Sequence, residues 1–192
     1  RLPLLPVIGP DGESLRVGVE FPGRTVFMRV WKADVGRVPV ILLDTDVPEN
    51  HPADRPITSI LYVRGREMRL CQEIVLGIGG VRALRALGLK PTVWHINEGH
   101  AAFLLLERCR ERVQKGIEFE SALELVASNT AFTTHTPVAA GHDVYSVKDI
   151  EGFLGSAFAF ACRPNIVAEA SGEGANQRES IRRASTLHDR RR

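Results

Sequence analysis

The hydrophobic period changes once, near Glu67, and that change commits the chain to a mixed α/β fold. Before it, apolar and polar residues alternate over residues 15–21 and again over 25–31, with Pro22 and Gly23 marking a turn between two strands. Residues 38–43 form a continuous apolar run, which predicts a buried strand. Residues 44–52, with three acidic residues and two prolines, read as loop.

From Glu67 onward the period is helical. Leu70, Ile74, Ile78, Val81 and Leu84 share one face, and Gly88 closes the segment. Residues 91–96 predict a short strand. Asn97 is placed to cap a following helix whose apolar positions include Ala102, Phe103, Leu106 and Val113, stopped at Gly116. Another helix is expected over 119–127 and a β-prone run over 130–134. This alternation predicts an open α/β sheet. Residues 171–192 are rich in Gly, Ser, Asn, Gln and Arg and read as disordered.

Several function classes fall away. No apolar run reaches the roughly 18–20 residues that a membrane helix needs, so no membrane role is expected. Cys71, Cys109 and Cys162 are too few and too scattered for a disulfide framework or a thiolate zinc site, which favours a reduced, cytoplasmic setting. His95, His100, His135 and His142 show no metal-binding spacing, so no metal is expected. Six arginines fall within residues 178–192 against Glu179 and Asp189. Without interleaved aromatics that basic end reads as solvated or artefactual rather than as a nucleic-acid contact. The cluster Gly77, Gly79, Gly80 invites a phosphate-loop reading. A dinucleotide fingerprint would need glycine where Arg82 stands, and the glycines lie inside a helical pattern, so close helix packing is expected instead.

Two polar segments remain, residues 94–100 and 132–137, each at the carboxyl end of an expected strand. In open α/β sheets ligands bind at those ends. Asn97, Glu98, His100, His135 and Thr136 are the candidate site residues, with helix capping as the plain alternative for Glu98.

At these residues the sequence resembles a known family. HINEGHAAF (95–103) and FTTHTPVAAGHD (132–143) are similar to paired signatures of α-glucan phosphorylases, especially their shorter bacterial and archaeal branch. LLDTDVPEN (42–50), EMRLCQEIVLGIGGVRALRALG (67–88) and RVWKADVGRVPV (29–40) agree in order and spacing. The resemblance implies a glycosyltransferase-class enzyme that splits α-1,4-glucans at their non-reducing ends with inorganic phosphate, releasing glucose 1-phosphate. It implies two Rossmann-like domains (the GT-B plan), with pyridoxal phosphate held on a lysine of the second domain and its phosphate taking part in proton transfer. Residues 1–145 would then be part of the N-terminal domain, and 146–192 an unmatched tail, disordered or aberrant. The chain, which has no initiator methionine, is expected to lie inside a longer protein, to bind no cofactor itself and to be inactive alone.

Carried over by position, Glu98 and His135 are the catalytic candidates, and Asn97, His100 and Thr136 the substrate-binding ones. They would stabilise positive charge at C1 and grip the ring hydroxyls. Residues 63–66 depart from the family, which carries an acidic residue there. Residues 169–172 echo a stretch near the family's cofactor lysine, but no Met-Lys follows. A sugar-nucleotide-dependent glucan synthase and a non-catalytic glucan-binding module are the rival readings.

Overall fold

The computed structural model describes residues 4–61, 65–135 and 143–159. It is mixed α/β, as expected, and falls into two compact units: residues 1–92 with 100–107, and residues 93–99 with 108–192.

The first unit is built on an antiparallel sheet of four strands, β1 (Leu4–Pro6), β2 (Arg16–Phe21), β3 (Arg24–Val35) and β4 (Val38–Asp44). Gly23 takes φ 71° in the β2–β3 turn and Gly36 takes φ 60° in the β3–β4 turn, a left-handed backbone that favours glycine. β3 runs past the expected end at Trp31 because β1 and β4 both pair with its second half. Its alternation places Val26, Met28 and Val30, all fully buried, on one face.

Against that face lies a helix in three parts: α1 (Arg66–Ile74), a π turn (Val75–Gly79) and α2 (Gly80–Ala86). Leu70, Ile74, Ile78 and Val81 form its buried stripe, and each such side chain contributes about 1.5–3 kcal/mol by leaving water. Gly88 ends the segment at φ 72°. The glycines do what packing predicts. A Cβ at Gly77 would stand 2.7 Å from the Leu104 amide nitrogen, and one at Gly79 would stand 2.7 Å from Met28 Sδ. Arg82, the residue that breaks the dinucleotide fingerprint, is a cross-link. Its Nε donates to Glu107 Oε1 at 2.9 Å, and Nη1 donates to Gly18 O at 2.7 Å and Glu20 Oε2 at 2.6 Å.

The loop after β4 is pinned rather than loose. Asn50 donates to Phe27 O at 2.7 Å and Thr45 O at 2.8 Å, and accepts from Phe27 N–H at 2.8 Å. Within this unit one expectation is corrected. The run 38–43 is a strand, but not a buried one: Val38, Val40 and Leu42 are 57%, 38% and 43% exposed. β4 pairs only with β3, and Val38, Val40 and Leu42 stand opposite Val35, Ala33 and Trp31, on the face away from Val30 and the helix.

The second unit holds a parallel pair, β5 (Trp94–Asn97) and β6 (Thr130–Thr133), with α4 (Phe119–Ala127) and α5 (Val147–Ala159). α3 (Phe103–Val113) begins in the first unit and ends in the second. Arg108 ties the last turns of α3 to the start of both strands. It donates to Thr130 Oγ1 at 2.7 Å and to Asn129 Oδ1, and stacks 4.7 Å from the Trp94 ring centroid.

Three further expectations change here. β5 starts at Trp94 rather than Pro91, since proline brings no donor to a ladder. The following helix starts at Phe103, so Asn97 caps nothing and closes β5 instead. The tail expected from residue 146 is helical over Val147–Ala159, with Ile150 and Leu154 buried. Residues 160–192, with the 169–172 echo, lie outside the described residues. Among the described residues no helix is long and apolar enough to cross a membrane.

Burial pushes the Cys71 thiol up to about 11, and it raises the Cys109 thiol as well. Only the thiolate reacts, so both groups should stay inert well below that range. Iodoacetamide at pH 8 followed by peptide mapping should leave Cys71 and Cys109 unmodified in the folded chain and label both in denaturant. Labelling of native Cys71 would contradict the packing of α1.

Candidate functional site

β5 and β6 run parallel in the register Trp94↔Thr130 to Asn97↔Thr133, so their carboxyl ends finish side by side. The ladder gains one more bond, from Glu98 N–H to Thr133 O at 2.8 Å. There the chain turns sharply. Glu98 takes φ 58°, and among the described residues it is the one non-glycine with positive φ. A glutamate gains nothing locally from that conformation, which costs of order 1–3 kcal/mol and persists where the surroundings enforce it.

What enforces it is visible on β6. The Glu98 side chain is buried, with the residue 6% exposed. Its Oε2 accepts from Thr134 Oγ1 at 3.0 Å, and its Oε1 accepts from the His135 backbone N–H. Charge-assisted bonds of this kind are the stronger class and make a buried carboxylate tolerable. The helix-cap alternative for Glu98 is therefore overturned: no helix begins there, and the carboxylate serves the neighbouring strand end.

Around this carboxylate lies an exposed polar rim. Asn97 Oδ1 is 2.9 Å from His135 Nε2, and His95 Nε2 is 2.7 Å from Thr133 Oγ1. The amide oxygen can only accept, so His135 donates from Nε2. A fixed negative charge under a rim of hydrogen-bonding groups can hold hydroxyls and oppose positive charge that develops nearby.

Of the five residues expected at the site, the structure brings together Asn97, Glu98 and His135. His100 belongs to the first unit, where its Nδ1 meets Arg69. Thr136 and His142 lie outside the described residues. Sequence reasoning missed Thr134 as a partner of Glu98, although it stands inside the quoted motif. It also missed Arg69, whose i, i+4 spacing to Glu73 was the available signal.

Pyridoxal phosphate would need a lysine amine, and all four lysines here are exposed. Lys32 Nζ pairs with Asp34 at 3.0 Å, and Lys90, Lys115 and Lys148 are all exposed. None is a buried amine among phosphate-binding groups.

No protein-family model matches the chain. Among curated proteins it is similar to the maltodextrin phosphorylase of Thermococcus litoralis, 45% identical over 151 residues, which cover 79% of this chain and 18% of that protein. It is 45% identical over 160 residues to the glycogen phosphorylase of Mycobacterium tuberculosis, covering 80% of this chain and 18% of that protein. With the glycogen phosphorylase of Aquifex aeolicus the identity is 37% over 150 residues, covering 78% and 22%. The chain thus spans about a fifth of the length of these relatives. Over about four-fifths of its own length, the chain is homologous to a segment of the archaeal and bacterial maltodextrin and glycogen phosphorylases.

Proposed function

We propose that this chain supplies part of the sugar-binding wall of an α-1,4-glucan phosphorylase, which releases glucose 1-phosphate from glycogen or maltodextrin ends using inorganic phosphate. Residues 1–145 would belong to the N-terminal Rossmann-like domain of a two-domain glycosyltransferase, working in the cytoplasm. The observation that carries the reading is the buried Glu98 carboxylate, held by Thr134 and His135 at adjoining strand ends and rimmed by Asn97.

In that role Asn97 and His135 bind ring hydroxyls and orient C1. Glu98 opposes the positive charge that grows on C1 as the glycosidic bond breaks. His100 and Thr136 add substrate contacts. The lysines present do not suit pyridoxal phosphate, so the complete enzyme would carry that cofactor on a part of the protein other than these residues, and this chain alone would be inactive.

Two readouts on the chain test this. Titration with maltoheptaose should shift the amide resonances of Asn97, Glu98 and His135 and leave those of β2 and β3 in place. Incubation with pyridoxal phosphate, maltoheptaose and phosphate should yield no glucose 1-phosphate and no imine that borohydride fixes to Lys32, Lys90, Lys115 or Lys148. Shifts confined to other segments, or turnover with such an imine, would refute the proposal.

A further inference from the structure

His100 is held from one side by a residue that is not among the candidate site residues. Arg69, on α1, directs its Nε to Glu73 Oε1 at 3.2 Å, one helical turn on, and its Nη2 to His100 Nδ1 at 2.5 Å. Glu73 is buried, so the guanidinium is gripped by a fixed carboxylate rather than swinging in solvent. All three residues lie in the first unit.

A guanidinium carries only donors and stays protonated at any pH a protein survives. The ring nitrogen it faces must therefore offer its lone pair. A neutral imidazole has one N–H, so if Nδ1 accepts, the proton sits on Nε2.

We propose that Arg69 is a positioning residue that fixes His100 as the Nε2–H tautomer, so that His100 presents a donor to an acceptor oxygen of the substrate. The substrate half of this statement rests on the function proposed above, and the tautomer half does not. A purely structural Arg69, serving only its i, i+4 pair with Glu73, would steady α1 a little and leave the imidazole proton unassigned. The wrong tautomer at a positioned histidine turns a donor into an acceptor, and that loss reaches substrate without moving the backbone.

Nitrogen-15 spectroscopy of the labelled full chain reads the tautomer directly. In the wild type, Nδ1 of His100 should resonate as an unprotonated ring nitrogen and Nε2 as a protonated one, with a coupling across the hydrogen bond between Arg69 Nη2 and His100 Nδ1. In Arg69→Met the coupling should vanish and both ring signals should move toward those of a free, exchanging imidazole, while the backbone amides of α2 stay put. A protonated Nδ1 in the wild type, or an unchanged tautomer in Arg69→Met, overturns the proposal. Should Arg69→Met fail to fold, the two wild-type signals decide alone, and both must be present. Maltoheptaose added to the same wild-type sample separates the two halves. A shift of the Nε2 signal supports the substrate contact, and an unmoved signal removes it while the tautomer assignment stands.

Discussion

Glu98→Gln should lower kcat for maltodextrin phosphorolysis by at least ~100-fold, the scale of losing one preorganised electrostatic stabiliser. The measurement needs a complete enzyme, such as the Thermococcus litoralis maltodextrin phosphorylase with its matching segment replaced by this chain. The substitution separates charge from structure. A glutamine oxygen can still accept from the His135 N–H, and the Thr134 hydroxyl can rotate to accept from the new amide, so the strand ends stay tied. What disappears is the negative charge, held in a buried setting where it acts with little screening by water. In the role proposed for Glu98, the loss should fall on kcat more than on KM, because the positive charge it would oppose exists only as the bond breaks. Near-normal kcat would leave Glu98 as a clamp between two strand ends and nothing more.

Gly77→Ala should destabilise the first unit by about 3 kcal/mol, at the upper end for overpacking a core. The new methyl would meet Leu104 N and Phe103 Cβ at 2.7 Å and Phe103 C at 2.9 Å. Backbone atoms of another helix cannot step aside without moving that helix. Two neighbouring glycines supply the controls. At Gly79 the obstacle is the flexible thioether of Met28, so alanine there should cost only about 1 kcal/mol. At Gly80 nothing lies within 4 Å and the backbone is helical, so alanine should stabilise by roughly 0.5–1 kcal/mol. Urea unfolding of the three variants should return that order. Equal effects at 77 and 80 would contradict the packing of the π turn against α3.

Those glycines show what the sequence makes legible. A helical stripe with glycines inside it, ended by Gly88, needs no structure to read as a helix packed closely on a neighbour. The change of period near Glu67, the β2–β3 alternation and the stop at Gly116 are local patterns of the same kind. The departures arise where tertiary pairing decides. An apolar run such as 38–43 reports hydrophobicity but not which face finds a partner, so the exposure of β4 had no local signature. Asn97 has the chemistry of a cap, yet its amide bonds His135, 38 residues away. The site was legible as two motifs at strand ends, since short polar runs there carry their own signal. The positive φ of Glu98, its bond to Thr134 and the Arg69–His100 pair depend on long-range register, which composition and spacing do not encode.

Glucose 1-phosphate formation by the segment-swapped enzyme tests the central claim most directly. With maltoheptaose and phosphate, the hybrid carrying this chain should turn over within about 10-fold of its unaltered host, because segments sharing 45% identity should present the same polar groups to the sugar. A hybrid that folds and retains its pyridoxal phosphate but forms no glucose 1-phosphate would contradict it.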